Sequence, residues 1–186
     1  MTKKYELVLD DTIDFWGWKL FRIRALISFG SVEVGDLGGY IQKGENLSHD
    51  GDAWVSDNAK VWGNAEVWGN AKVWGNAEVW GNAEVCGDAE VCGDAKVWGN
   101  AKVWGNAEVR GNAKVSELGD IIVFKNHWSS GRHFTYTKSN KMWKVGCFHG
   151  TGQELIEKAY RDSEKSGNHY KAYVDFVESL EKLDDQ

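Results

Sequence analysis

Ten copies of one six-residue unit follow each other without a gap from residue 55 to residue 114, and this repeat constrains the fold more than any other feature of the chain. The copy at 61–66 reads VWGNAE, and the next copy reads VWGNAK. Six residues are too few for a repeat built of helices, and one unit cannot bury its own apolar side chains, so the copies must stack on one another. The period therefore predicts a mainly β fold, a β-solenoid.

Each unit has the residues of a short strand followed by a corner. Valine holds the first place of every copy and alanine the fifth, whereas the sixth place is always lysine or glutamate. Because neighbouring strand residues point to opposite sides, valine and alanine are expected inside and the charged residue in water. The Gly-Asn or Gly-Asp pair in the middle of most copies suits a sharp bend, because glycine tolerates a positive φ.

This pattern, with an aliphatic first residue and a small fifth residue, resembles the hexapeptide-repeat family, which includes the hexapeptide acyltransferases. The resemblance implies a left-handed parallel β-helix in which three units form one triangular coil, so that residues 18 apart stack. Extending the frame backwards adds 49–54, with Ala53 in the fifth place, and 43–48, with Leu47 in that place. We therefore predict a short left-handed parallel β-helix over 43–115, of roughly four coils.

The residues before the solenoid are predicted to cover one of its two open ends. Residues 1–42 contain β-type runs at 5–9 and 21–27 and a turn-rich stretch at 35–40, which together predict an N-terminal β cap. This part of the chain is similar to the N-terminal part of YdcK-like hexapeptide proteins and to proteins carried by bacteriophages and prophages, which implies a phage context. The resemblance lies in the segments 22–26, 38–41, 46–48 and 51–55.

Residues 116–186 are predicted to form a C-terminal α+β module of strands followed by two helices. Strands are expected at 121–124, 134–137 and 143–148. Thr151 and Glu154 form a capping-box pattern that opens the first helix, the residues at 166–168 are expected to end it, and an acidic tail follows the second helix at 183–186. The segments 130–132, 135–136 and 146–151 are similar to a module that follows hexapeptide repeats in phage and prophage proteins.

The chain of 186 residues has a net charge of −6 and no apolar run long enough to cross a membrane. Its first residues lack the features of a secretory signal, so we expect a cytoplasmic protein, in the host cell if a phage encodes it. Mixed lysine and glutamate along the repeat disfavour nucleic acid as a partner. Cys86 and Cys92 are expected on different faces, too far apart to pair, and Cys147 is expected to be a buried strand residue.

Tryptophan is unusually frequent, with 11 residues in the chain. Stacking at a spacing of 18 places Trp62, Trp80 and Trp98 in one unbroken column, which we expect to be an exposed apolar ladder. The indoles could seal the corners of the coil, form the contact of a homo-oligomer, or stack on a glycan or nucleobase. The family resemblance favours a trimer. The candidate interface residues are Trp62, Trp68, Trp74, Trp80, Trp98 and Trp104.

Catalysis by the solenoid is disfavoured because no histidine lies between residues 55 and 115. The resemblance implies that an acyltransferase would need a histidine near the coil interface, and that a γ-class carbonic anhydrase would need three histidines on zinc. His49 alone precedes the repeat, and it leaves an acyltransferase-like enzyme as a weaker alternative. His127, His133 and His149 have no spacing typical of a metal site. We therefore expect no enzymatic activity, no metal and no cofactor.

The C-terminal module contains the best candidate for a ligand site. The helix start at Thr151, between two glycines, would present N–H groups and a positive dipole to an anion, and Arg132 could supply a countercharge. Nearby aromatic and histidine rings could stack on a base. The same features are also typical of ordinary helix capping and core packing. The candidate ligand-binding residues are Ser129, Ser130, Arg132, His133, Tyr136, Trp143, His149, Gly150, Thr151 and Gly152.

We therefore predict a non-enzymatic, phage-type binding protein that oligomerises through its β-helix. In this hypothesis the C-terminal module binds or sequesters a small phosphorylated or nucleotide ligand, and the phage context suggests a host immune signal as that ligand. The alternative is an inhibitor or scaffold that binds a host protein through exposed tryptophan faces.

Overall fold

The computed structural model describes residues 2–184 and shows a parallel β-solenoid of about 4 turns, with antiparallel strands on its N-terminal side and a sheet with two helices on its C-terminal side. The predicted fold class, mainly β with a solenoid, is confirmed. No helix in this part of the chain has the length and apolar character needed to cross a membrane. The last two residues of the predicted acidic tail, 185 and 186, lie outside the described residues.

The solenoid consists of two-residue strands, each made of the sixth residue of one unit and the valine of the next. The valines are fully buried, and burying one contributes about 1.5 to 3 kcal/mol relative to leaving it exposed. At the nine corners from Gly63 to Gly111, φ lies between 65° and 74°. The strands are β4 (Trp54–Val55), β5 (Lys60–Val61), β6 (Glu66–Val67), β7 (Lys72–Val73), β8 (Glu78–Val79), β9 (Glu84–Val85), β10 (Glu90–Val91), β11 (Lys96–Val97), β12 (Lys102–Val103), β13 (Glu108–Val109) and β14 (Lys114–Val115).

These strands form three parallel faces, and residues 18 apart are neighbours on each face, as predicted. The first face contains β5, β8, β11 and β14, the second contains β4, β7, β10 and β13, and the third contains β6, β9 and β12. At the corners, amide side chains form a further ladder: Asn64 Nδ2 donates to Asn82 Oδ1 at 3.2 Å, and Asn82 donates to Asn100 at the same distance. The fourth place of the unit therefore links successive coils.

The N-terminal residues continue the first face of the solenoid. β1 (Tyr5–Phe15) and β2 (Trp18–Ala25) form an antiparallel hairpin, and β3 (Leu37–Ile41) pairs antiparallel with β2 and parallel with β5. The stretch at 35–40, predicted as turns, is thus mostly strand. A Cβ on Gly38 would lie 2.5 Å from Ile23 Cγ1, so glycine here permits close packing of strands.

Leu47 occupies a different place in the repeat from the one predicted. It bridges to Val67, and Ile41 pairs with Val61, so both hold the valine place of the unit and the expectation of Leu47 in the fifth place is wrong. Val55 pairs with Val73 at the regular spacing of 18. Two extra residues therefore lie between Leu47 and Val55, and the first parallel pairing lies before residue 43.

The C-terminal strands form one antiparallel sheet, in the order β15 (Ile121–Lys125), β16 (His133–Thr137), β17 (Met142–Val145) and β18 (Phe148–Thr151). The strand predicted at 143–148 is in fact two strands, because Gly146 adopts a φ of 56° and begins a tight turn. Cys147 lies in this turn and is exposed, so the expectation that it is buried is wrong.

Two helices, α1 (Gly152–Asp162) and α2 (Glu164–Asp184), pack on one side of this sheet. The predicted capping box is confirmed, since Glu154 N–H donates to Thr151 Oγ1 at 3.3 Å. The predicted break at 166–168 is wrong, because the helices are separated at Ser163 and Gly167 is buried inside α2. A Cβ on Gly167 would lie 2.2 Å from the ring of Tyr160, so glycine lets the two helices approach closely.

Candidate functional site

The C-terminal sheet meets the last coil of the solenoid through polar side chains. Tyr136 and Trp143 pack with the helices, whereas Thr135 and Lys144 lie next to them in the strands and contact the solenoid. Thr135 Oγ1 accepts a hydrogen bond from Glu108 N–H at 3.0 Å, and Lys144 Nζ lies 3.2 Å from Glu108 Oε2. The joint between solenoid and module is therefore charged.

Arg110 connects the charges at this joint. Its guanidinium lies 3.0 Å from Glu90 Oε2, and its Nε donates to Glu108 Oε2 at 3.1 Å. It also lies 5.5 Å from the ring centroid of Trp74, two coils away, because the small Cys92 occupies the coil between them. Both carboxylates are thus paired with cations of the protein itself.

A cleft of about 410 Å³ lies beside this network, and we call it the joint cleft. Lys144 in the cleft is only 7% exposed, whereas Arg132 and His133 are exposed. Within residues 2–184, the Arg132 guanidinium makes no ion pair, although three cationic residues and two carboxylates share the cleft. The cleft is lined by Glu90, Asn106, Glu108, Arg110, Arg132, His133, Lys144 and Gly146.

Ser129 and Ser130 belong to the loop that holds Arg132. Asn126 Oδ1 accepts from the N–H and the hydroxyl of Ser129 at 2.9 and 3.0 Å, and Ser130 Oγ accepts from Arg132 N–H at 3.3 Å. Asn126 N–H also donates to the carbonyl of Arg132 at 2.9 Å. The two serines therefore fix the backbone from which the Arg132 side chain extends.

The start of α1 already contains an anion of its own. Thr151 N–H and the Thr151 hydroxyl both donate to Glu154 Oε2, at 2.8 and 2.9 Å. These bonds, that of the backbone first, lower the pKa of the Glu154 carboxyl, which is charged at neutral pH. Glu154 therefore occupies the position expected for an external anion. A Cβ on Gly150 or Gly152 would lie 2.7 Å from a neighbouring side chain, so both glycines are required by packing.

Tyr136 and Trp143 are core residues and do not share a surface with Arg132. Both are buried among the helices, and the Tyr136 hydroxyl donates to Glu181. Burial and this carboxylate raise the pKa of Tyr136. The expected stacking of a base on these two rings would require the module to open.

His149 lies at the edge of the joint. A Cβ on the corner residue Gly111 would lie 3.1 Å from His149 Cε1, so the ring packs against the solenoid. Burial, followed by the nearby charges of Arg110 and Lys144, lowers the pKa of His149 and keeps the imidazole neutral at pH 7. The ring lines a second cleft, which also includes Arg161.

His49, the histidine considered for acyl transfer, is part of the N-terminal cap. Its Nδ1 accepts from Lys4 N–H at 3.2 Å, and its ring stacks on Tyr5 with a centroid distance of 4.3 Å. Burial, then the charges of Lys4 and Lys3, lowers the pKa of His49. The residue therefore has a packing role at the opposite end from the joint cleft.

The unbroken tryptophan column is present, but it is partly covered. Trp62, Trp80 and Trp98 stack with centroid distances of 5.0 and 5.2 Å. Trp62 is only 6% exposed because Phe15 and Leu20 of the N-terminal hairpin pack on it, and the other two indoles are half-buried. The expectation of a fully exposed ladder is therefore wrong for its first member.

The most exposed indoles of the repeat lie in the interrupted column on the third face. Trp68 is 43% exposed and Trp104 is 65% exposed, whereas Cys86 between them is buried. Trp74, in the column of the second face, is half-buried and in contact with Arg110. The indoles of the repeat are thus most exposed on the third face.

Four charged residues of the joint cleft were not among the predicted site residues. They are Glu90, Glu108, Arg110 and Lys144. Arg110 could have been identified from the sequence, because it is the only charged residue at the second place of the ten repeats. The other three had none, since charged residues at the sixth place of a unit, or alternating along a strand, are typical of a surface in water.

Comparison with models of known protein families gives no match, and no curated protein matches the sequence. Function therefore has to be inferred from the site itself.

Proposed function

We propose that this chain is a non-enzymatic binding protein whose ligand is a small phosphorylated molecule held in the joint cleft. The observation that carries the proposal is the exposed guanidinium of Arg132, which makes no ion pair within residues 2–184 and lines a cleft with three cations and two carboxylates. A guanidinium donates two parallel hydrogen bonds to phosphate oxygens, and the cleft has one positive charge in excess, so it suits this anion.

The other charges of the cleft support an anion over a cation. Glu90 and Glu108 are each within 3.2 Å of a protein cation, so neither carboxylate is available to a cationic ligand. The volume of about 410 Å³ lies in the range typical of small-molecule sites, and His133 supplies a ring that can stack on a nucleobase. These features favour a nucleotide over inorganic phosphate.

The residues of the joint cleft support binding of the ligand without catalysis. Cys92 is the thiol nearest the network, and its burial raises its pKa, which disfavours the nucleophilic thiolate. The resemblance of the flanking segments to phage proteins extends the proposal to sequestration of a host nucleotide signal in the cytoplasm.

Calorimetry with inorganic phosphate, AMP and a cyclic dinucleotide tests this function. The full chain should bind at least one of them, and Arg132→Ala should weaken that binding by about 10- to 100-fold, because a hydrogen bond to a charged group is lost. Arg161→Ala is the matched control, since this arginine lies in the same module but lines the second cleft. The proposal would be contradicted if none of the three ligands gave binding heat, or if Arg132→Ala bound as tightly as the parent chain.

A second candidate function is binding of a host protein, favoured by the exposed indoles of Trp68 and Trp104. It predicts that a protein partner is retained by the Arg132 variant and lost when Trp104 is replaced by serine. A pull-down with both variants separates the two functions.

A further inference from the structure

The column of second-place residues on the third face lacks one of its three indoles. Along this column Trp68, Cys86 and Trp104 occupy successive coils, as the hydrogen bonds from Trp68 N–H to Val85 and from Cys86 N–H to Val103 show. The two indoles are exposed and the cysteine between them is buried. We call the space over Cys86 the notch.

The unbroken column gives the width of this notch. Its indoles stack at 5.0 and 5.2 Å, one per coil. Trp68 and Trp104 are two coils apart, which corresponds to roughly 10 Å at the usual strand spacing. The notch is therefore the space of one missing ring, and a flat aromatic side chain is the group that fits it.

We propose that the occupant is Trp104 of a second copy of this chain, in a two-fold dimer with antiparallel solenoids. The two-fold axis lies in the interface and parallel to the strands of the third face. Each Trp104 then enters the notch of the other subunit, and four indoles form one continuous stack with both copies of Trp68 at its ends. Such an interface is isologous, as in most homodimers. It goes beyond the ligand site and does not depend on it.

Charge selects this register over the other one that would fill the notch. Glu66, Glu84 and Lys102 precede the three members of the column and lie on successive coils. With Trp104 in the notch, each Glu84 faces the partner's Lys102, which extends the ion pair of 2.8 Å between Glu84 and Lys102 within one chain. With Trp68 in the notch instead, Glu84 would face the partner's Glu66, and two like charges would meet.

The notch also disfavours assemblies whose axis runs along the solenoid, including the trimer implied by the family resemblance. Such an axis brings equal levels together, so that Trp104 meets Trp104 and the space over Cys86 stays unfilled. Sedimentation equilibrium therefore tests the proposal directly. The full chain should be a dimer, and Trp104→Ser should raise the dissociation constant by at least about 30-fold, because a buried indole anchor is lost.

Trp98→Ser is the matched control, since Trp98 lies one unit earlier in the unbroken column and should leave the dimer intact. Circular dichroism of each variant reports whether the solenoid still folds. A monomeric or trimeric parent chain, or a Trp104→Ser variant as dimeric as the parent, would overturn the proposal. A monomeric parent would leave the exposed indoles to a different protein.

Disulfide formation distinguishes the registers. Residues 68 and 104 each lie one coil from Cys86 of their own chain, so each cysteine variant also carries Cys86→Ser and is mixed with the parent chain. The thiol of Trp104→Cys should then pair with the partner subunit's Cys86 and give a covalent dimer on a non-reducing gel after mild oxidation, whereas Trp68→Cys should give none. A covalent dimer from Trp68→Cys, or none from Trp104→Cys, would overturn the proposed register.

Discussion

The two ends of the solenoid are covered by different kinds of contact. At the N-terminal end, β3 continues the hydrogen bonding of the first face, and apolar side chains such as Ile23 and Leu20 pack on the coil. At the C-terminal end no strand of the module extends a solenoid face within residues 2–184. Ile121 packs on the solenoid core, whereas Thr135 and Lys144 make polar contacts with the last coil. The N-terminal end is therefore closed by apolar packing, as in a protein core, whereas the C-terminal end is closed mainly by polar contacts, as in a protein–protein interface.

This difference explains why the candidate site is at the C-terminal end. Apolar packing excludes water, and the cleft of about 520 Å³ beside the N-terminal cap is lined by three carboxylates and one cation, Lys72, which does not suit an anion. A joint made of hydrogen bonds and ion pairs stays hydrated between its contacts, and its charges remain available, as for Arg132. The end with less apolar packing is therefore the one whose cleft suits an anionic ligand.

The largest expected effect is at the N-terminal end, with Gly38→Ala. The new methyl group would lie 2.6 Å from the carbonyl oxygen of Val55, so strands must separate, and we expect the free energy of unfolding to fall by about 3 kcal/mol. Gly119→Ala is the control in the linker to the other end, because a Cβ there meets nothing within 4 Å. Urea denaturation compares the two, and equal losses would break the contrast between the ends.

A smaller effect is expected from Lys4, a residue that is 1% exposed and whose ammonium donates to the carbonyls of Gly51 and Ala53 at 3.1 and 2.8 Å. Burial lowers the pKa of Lys4 to about 8. Between about pH 8 and 10 Lys4 holds more of its proton in the unfolded chain than in the folded one, so this residue alone should add about 2 kcal/mol to the free energy of unfolding as the pH rises.

In the same range, ionisation of Cys86, Cys92 and Tyr5 in the unfolded chain opposes this contribution, because burial raises the pKa of each of these groups in the fold. The contribution of Lys4 is therefore measured as a difference between parent and variant, by urea denaturation at several pH values up to 10. The parent should gain about 2 kcal/mol relative to Lys4→Met between pH 8 and 10, whereas it should gain nothing relative to Lys3→Met, at an exposed position. A difference between parent and Lys4→Met that does not change with pH would show that this lysine is not the titrating group.

The smallest effect is expected at the polar end, with Thr135→Val. Glu108 N–H would lose its acceptor, which should reduce the free energy of unfolding by about 1 kcal/mol. Ser139→Ala removes an exposed hydrogen bond from Lys114 N–H, which water can replace, and should cost less than about 0.5 kcal/mol. Thermal denaturation followed by circular dichroism measures both. A loss from Thr135→Val as large as that from Gly38→Ala would show that this polar contact is as important to stability as the packing at the N-terminal end.

The regular part of the fold could be predicted because every unit repeats the same physical solution. The buried valines follow from the period, and the spacing of 18, with the tryptophan column that it produces, follows from the resemblance to triangular β-helices. The place of Leu47 in the repeat could not be predicted. The residues before Val55 no longer match the repeat closely enough for the two extra residues to be recognised. The extent of α2 was missed because a glycine inside a helical pattern usually marks the end of the helix. Here Gly167 lies within α2 and makes room for the ring of Tyr160.

The candidate site was predictable only in part. Arg132 and His133 were identified within the module, but their partners Arg110 and Lys144 depend on which side of the sheet meets the last coil. That docking is set by contacts between segments far apart in sequence, such as Thr135 with Glu108. Neither hydrophobic period nor helix capping contains this information.

The number of repeats in the three-sided coil sets both the distance and the rotation between the hairpin and the module. Eighteen residues advance the chain by one strand spacing, about 4.8 Å, and return it to the same face. Inserting three units before Glu90 would lift the module away from the hairpin without rotating it, whereas removing a single unit there would turn it by a third of a circle about the solenoid axis. The joint cleft would turn with the module, because all the residues that line it lie between 90 and 146. The repeat number therefore sets how the two ends of the molecule are oriented relative to each other.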